Sequence, residues 1–251
     1  MVFERRPLRE QVVAEILDRL QSGQYAVGAR IDEHALQREL PVSRTPIREA
    51  LSVLAYDGII EARMGNGYWV TPLTEKDARD TYPAIVALEQ LALTLMPMDA
   101  LGETVANLRI AADHMERVAD DPVAAQRGDD VWHLMLVRPS GNDRLEQTLT
   151  RLKRAVRRAE YALMQNHAVV MKSVTQHRRI ADALEAGDLA TAKDILECNW
   201  RDSMHRMIAC LGSSDEAGEP SRRHGVRSAT DTGEMGSAAH LVASAVPTNE
   251  G

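Results

Sequence analysis

The sequence predicts a mainly α chain in two parts: a small N-terminal unit of three helices closed by a β-hairpin, then a larger all-helical antiparallel bundle. Three observations carry this. Apolar residues recur at three- and four-residue spacing over most of the chain. Two short strand-like runs flank Met64-Gly65-Asn66-Gly67, and little strand signal follows Thr74. At 251 residues and 44% hydrophobic composition, the chain has enough apolar material for two packed cores.

Pro7 opens the first helix, in which Leu8, Val12, Ile16 and Leu20 repeat every fourth residue before a stop near Gly23. A second, short helix runs from about Glu33 to Leu40. The third begins in Val42-Ser43-Arg44-Thr45-Pro46-Ile47-Arg48-Glu49-Ala50-Leu51. Ser43 or Thr45 can cap its first turn, and Pro46 lacks an N–H that a first turn leaves unpaired anyway. Ile47, Leu51 and Leu54 face inward, while Arg44 and Arg48, four apart, stack on the other side near the positive end of the helix dipole. Such an arginine fork can hold guanine O6 and N7, or a phosphate, at roughly 1–3 kcal/mol per good base contact. By itself this segment also fits an amphipathic helix with solvated arginines. Its surroundings favour nucleic acid: after Gly58, strands Ile59 to Arg63 and Tyr68 to Thr71 are joined by a turn whose Asn and Gly allow positive φ. Residues 1–73 therefore read as a winged helix-turn-helix, the third helix entering a major groove and the glycine-rich wing approaching the backbone.

Leu36 to Leu40, VSRTPIREAL, DGIIEAR and GNGYWV, in this order over residues 8 to 72, resemble the DNA-binding domain of GntR-type bacterial transcription regulators. The resemblance implies operator contacts by Arg44, Thr45 and Arg48 and by the wing at Gly65 or Gly67. Ser43, Arg63 and Asn66 complete the expected interface. Two residues depart from the pattern. His34 stands where the family often has an arginine, which weakens contact there at neutral pH. Pro41 replaces a glycine and stiffens the turn.

A net charge of −7 argues at first against nucleic acid. Its distribution answers the objection: every Lys/Arg position among the first seventy residues is an arginine, including Arg5, Arg6, Arg9, Arg44, Arg48 and Arg63. DNA binding through such a local patch is expected to be salt-sensitive. No apolar run approaches the ~18 residues of a membrane span, and Met-Val-Phe-Glu-Arg-Arg has no apolar signal core, so a cytoplasmic protein with no membrane partner is expected. Cys198 and Cys210 lack metal-knuckle spacing and read as reduced thiols.

Residues 74–212 read as amphipathic helices divided at Pro97, Asp121-Pro122, Pro139-Ser140-Gly141-Asn142 and Gly187-Asp188. Leu145 to Met164 carries Arg151, Arg154, Arg157 and Arg158 beside an apolar stripe, a pattern of solvated face or partner contact more often than of ligand clamp. Asp129 and His133 lie four apart and share a helix face; with His177 they could supply three ligands to a divalent metal, or be hydrogen-bonded helix residues. Asp129 to His133, Ser140 to Leu145 and His177 to Asp188 resemble the FCD effector domain of the FadR subfamily. That resemblance implies a homodimer on palindromic double-stranded operator DNA, and a site holding zinc or a similar divalent ion beneath a pocket for a small carboxylic acid or related metabolite. Its ligand set is one aspartate and three histidines. Here Asp129, His133 and His177 match, and Asn199 falls at the third histidine, making it a weak fourth ligand; His205 lies off its face. Ile85 replaces an arginine expected ahead of Leu88-Glu89, which implies a less anionic ligand or none.

Beyond Gly212, Ser, Gly, Ala, Glu, Pro and Thr dominate, with a basic cluster at Arg222, Arg223, His224 and Arg227; residues 213–251 read as a disordered tail. The reading is a ligand-responsive transcriptional regulator, most simply a repressor and not an enzyme. The alternatives are a regulator with a degenerate effector site and a metal-dependent enzyme, the latter lacking any additional nucleophile or base motif.

Overall fold

A computed structural model describes residues 7–216. The basic cluster expected at Arg222 to Arg227 lies outside them. Helices α1 (Leu8–Gln21), α2 (Glu33–Glu39) and α3 (Arg44–Tyr56) are joined by strands β1 (Arg30–Ile31), β2 (Ile60–Arg63) and β3 (Gly67–Val70). Helix α2 starts where its sequence satisfies free N–H groups: Asp32 accepts from His34 and Ala35 at 2.8 and 3.2 Å. Ser43 occupies the N-cap of α3 but makes no side-chain cap bond.

Val12, Ile16 and Leu20 of α1 pack with Leu36 of α2, Ile47, Leu51 and Leu54 of α3, and Ile31, Ile60 and Val70 of the sheet. Leu8, expected on the same stripe, is exposed, because it lies in the first turn beyond the reach of that core. The sheet order is β1-β3-β2, both pairs antiparallel, with Ile60 opposite Val70 and Arg63 opposite Gly67. At the wing tip Gly65 and Gly67 adopt φ of 71° and 79°, backbone that glycine enters without strain. Strand β1, only two residues long, is too short for alternation to betray it in sequence.

The second core is built from α4 (Glu75–Leu95), α5 (Leu101–Arg117), α6 (Pro122–Val137), α7 (Asp143–Met164), α8 (His167–Glu185) and α9 (Leu189–Glu216), with a 3-10 turn at Arg138–Ser140. The chain breaks are the expected ones, plus one at Gln165-Asn166 that the sequence did not flag; there Asn166 accepts from the Ala168 N–H and starts α8. Asp121 caps α6 through the N–H groups of Val123 and Ala124, and Pro122 follows at the first helical position. Trp132, Trp200, Tyr82, Ile85 and Leu108 are fully buried in this core, and the Trp132 indole N–H donates to the Leu108 carbonyl at 3.1 Å. Gly128 lies where α6 packs on α5, and a Cβ there would come 3.4 Å from Met115 Cβ, in contact with it. Helix α9 continues to Glu216, four residues past the expected end of the bundle.

Candidate functional site: an arginine face and a buried histidine cluster

The inward stripe of α3 (Ile47, Ala50, Leu51, Leu54) is buried, and that burial aims Ser43, Arg44, Thr45 and Arg48 at solvent. His34 on α2 and Arg63, Gly65 and Asn66 of the wing are exposed as well, with Gly67 half-buried. A concavity of about 520 Å³ lies between α2, α3 and the wing, bordered by Arg30, His34, Gln37, Arg44, Arg48 and Gly67. The expected interface residues are not equally available. Arg44 Nε donates to Gln37 Oε1 at 2.7 Å, and Arg48 stands 3.8 Å from Glu33. Arg63 is folded back on the wing, bonded to Glu61 at 2.8 Å and stacked over Trp69 at 4.5 Å. Arg30 and Gln37 were missed in the sequence. Arg30 becomes part of the face only because β1 pairs with β3, which brings its guanidinium against Gly67.

Inside the bundle, α6 and α8 bring Asp129, His133 and His177 together, with one ligand atom from each within 4.8 Å of the others. His133 Nε2 is 3.8 Å from one Asp129 oxygen and His177 Nε2 is 3.6 Å from the other, too far for a hydrogen bond. All three residues are buried. His133 Nδ1 lies 2.9 Å from Glu89 Oε2, a carboxylate that also accepts the Trp200 indole N–H at 2.7 Å. With Nδ1 taken up by Glu89, the unpartnered Nε2 is the nitrogen on the Asp129 side, the division of roles a metal-binding imidazole uses. Glu89 is the residue that sequence reasoning passed over; its part is visible only once α4 packs against α6. His177 stacks face to face on Trp132, centroids 3.8 Å apart, with neither ring nitrogen partnered.

Burial, together with His133 and Lys153, holds the His177 pKa well below the ordinary histidine value, so its ring is neutral. Burial raises Asp129, against the pull of His133 and Lys153. Glu160 is pushed up to about 8, chiefly by burial. Lys153 sits 3.2 Å from Asp130 and 5.1 Å over the Trp200 ring; burial opposes its charge, but Asp130 and the other acids hold its pKa above the usual lysine value. One buried ammonium thus faces Glu89, Asp129, Asp130 and Glu160. A carboxylate and two unpartnered imidazole nitrogens facing it fit a divalent cation such as zinc. Asn199 is buried, and its amide nitrogen donates to Gln176 Oε1 at 2.9 Å. His205 is exposed.

Residues 8–70 match the model for bacterial regulatory proteins of the gntR family, and residues 80–201 match the FCD domain. The chain is a GntR-family transcription regulator. Its FCD domain fits the FadR subfamily, and the proteins of this family are DNA-binding regulators rather than enzymes. The regulator is 29% identical over 178 residues to the HTH-type transcriptional regulator YdhC of Bacillus subtilis (strain 168), covering 68% of this chain and 78% of that one. It is 29% identical over 194 residues to the "Probable D-xylose utilization operon transcriptional repressor" of Paenarthrobacter nicotinovorans, covering 76% of this chain and 85% of the other. Its fold is similar to that of a GntR regulator from Rhodococcus sp. RHA1 at a TM-score of 0.66 and 21% identity, over 80% of this chain and 97% of that one. The E. coli protein McbR/YncC matches with a TM-score of 0.66 and 19% identity, over 84% and 100%.

Three α7 arginines, each still partly exposed, pair with acids elsewhere in the chain. Arg151 and Arg154 hold Asp57, at the end of α3, at 3.3 and 3.4 Å. Arg157 reaches Asp18 of α1 at 3.5 Å and Asp130 of α6 at 3.4 Å, and its Nε donates to Gln21 at 3.2 Å. Among the described residues, no helix is long and apolar enough to cross a membrane.

Proposed function

We propose that the regulator is a repressor that binds palindromic operator DNA as a homodimer and answers to a small molecule at a metal-assisted site in its bundle. One observation carries the link between sensing and reading: Arg157 pairs with Asp130, the neighbour of Asp129, and with Asp18 on the first helix of the DNA-binding unit. An event at the histidine cluster and the pose of the winged helix therefore share an ion pair. A ligand shifts that pose by the difference in its affinity for the two arrangements. The relative named for a D-xylose operon is a repressor, which supports that sign of control.

In this reading residues 1–73 form the DNA-binding domain and residues 74–212 sense and dimerise. Arg44, Thr45 and Arg48, with Ser43, His34 and the wing from Arg63 to Gly67, face the operator. Asp129, His133 and His177 hold the ion, which supplies a positive charge and open coordination positions for an organic acid. Asn199 has its amide nitrogen engaged by Gln176, so the side-chain carbonyl oxygen is the end left to act as a fourth, weaker ligand. Ile85, fully buried, offers no charge to a carboxylate, so an anionic ligand would find its counter-charge in the ion rather than in this side chain. Acting on chromosomal DNA, the protein works in the cytoplasm.

The test is binding of the full-length protein to its own upstream region against shuffled DNA at several salt concentrations, with and without Arg157→Ala. Preference for the upstream duplex with a steep salt slope, and an effector response lost in Arg157→Ala, is expected. Equal binding to shuffled DNA overturns the reading, and an Arg157→Ala variant that keeps the full response removes the coupling.

A further inference from the structure

We infer that Gln37 is a positioning residue for base recognition: it fixes the orientation of Arg44 and thereby sets which base the regulator selects at one operator position. The inference rests on the reading of α3 as the recognition helix. Arg44 is exposed at the first turn of α3, and nothing on α3 itself restrains its long side chain. The restraint comes from α2, where Gln37 Oε1 accepts the Arg44 Nε–H at 2.7 Å. Gln37 is half-buried, one residue past Leu36, whose side chain is completely buried in the winged-helix core. The acceptor is thus mounted on a rigid element.

The chemistry of the bond sets its consequence. A guanidinium presents five N–H donors in a planar fork. Using Nε on Gln37 leaves the terminal pair of nitrogens, the end-on fork that matches guanine O6 and N7. Because glutamine is neutral, the bond orients the fork without cancelling its charge. The neighbouring arginine shows the contrast: Arg48 stands 3.8 Å from the carboxylate of Glu33, a partner that competes with phosphate for the same charge. Helix α2 therefore tunes the two arginines differently, Arg44 towards a base edge and Arg48 towards the backbone. An unrestrained Arg44 would sample many rotamers, and ordering it on the DNA would then oppose binding to the correct base.

The experiment selects ligands for the full-length protein from a random duplex library and compares the base preferences of wild type, Gln37→Met and Gln37→Glu. Gln37→Met keeps length and packing but removes the acceptor; its melting temperature checks that the fold is intact. We expect Gln37→Met to lower guanine preference at a single position of each half-site about five- to tenfold, with the other positions and non-specific binding in low salt unchanged. Gln37→Glu pairs with the Arg44 charge, so it should weaken binding to all sequences about tenfold. A Gln37→Met preference identical to wild type overturns the inference while leaving the DNA-binding reading intact. A wild-type chain that enriches no sequence overturns both.

Discussion

Loading the Asp129–His133–His177 cluster with zinc should raise the melting temperature of the chelator-treated regulator by about 5–15 °C. The structure supplies the reason. His133 Nε2, His177 Nδ1 and His177 Nε2 are buried without hydrogen-bond partners, and each such group costs about 1–3 kcal/mol. Two of the three, His133 Nε2 and His177 Nε2, face Asp129 and are the ones an ion would engage. Relief of those two groups amounts to about 2–6 kcal/mol. Mass action gives a similar figure, about 2.7 kcal/mol at one hundred times Kd and about 4.1 at one thousand. For a chain of this size each kcal/mol moves the midpoint by about 2–4 °C. His177 is held neutral by burial, so no proton must leave it at pH 7 before a metal binds. The assay is calorimetry on the chelated protein titrated with zinc, manganese and magnesium, beside His133→Ala and His177→Ala. A wild-type midpoint that ignores zinc at millimolar concentration refutes the reasoning, as does a full shift retained by either alanine variant.

Glu160 gives a pH signature. Its carboxyl holds a proton up to about pH 8 in the folded chain, against an ordinary value of 4.5, so stability is fully present below that ordinary value and is lost as pH rises towards 8. Glu160→Gln should flatten this decline, worth up to about a few kcal/mol between pH 5 and 8, and urea midpoints that fall with the wild-type slope would contradict it. Arg44→Ala and Arg48→Ala should both weaken operator binding. For Arg48→Ala the loss should be about equal on all sequences, with a salt slope reduced by about 1, measured by fluorescence anisotropy from 50 to 300 mM salt. Asp57→Asn leaves Arg151 and Arg154 without their shared carboxylate. Those arginines are 48% and 30% exposed, so solvent limits the cost to about 1–2 kcal/mol, read from urea denaturation; an unchanged midpoint would count against the contact.

Where the sequence carried the answer, the signal was local. The third helix declares itself through Ile47, Leu51 and Leu54 on one side and Arg44 and Arg48 on the other, a division that helix geometry alone enforces. The wing is legible because Gly65 and Gly67 lie where a tight hairpin needs positive φ. Asp129 and His133 share a helical face at four-residue spacing; His177 joined them only as a donor of suitable chemistry, strengthened by the resemblance, since nothing in spacing joins α6 to α8. The break before α8 was missed because Gln165-Asn166 contains neither Gly nor Pro and marks itself only by an asparagine cap. The α7 arginines were read as a charged face because a sequence does not say which acid lies opposite. Asp18 and Asp57 are more than ninety residues away along the chain.

By itself, then, the sequence determined most of the helices and the wing hairpin, the core stripes, the outward arginines of α3 and the class of donors in the bundle. These follow from periodicities of two and 3.6 residues and from side-chain chemistry, which every residue carries with it into any fold. Tertiary structure decided the partners: Glu89 behind His133, Gln37 beneath Arg44, and Arg157 between Asp18 and Asp130. The physical reason is that a hydrogen bond or ion pair depends on an approach of a few ångströms and on exclusion of water. Both arise only when helices distant in sequence pack against one another.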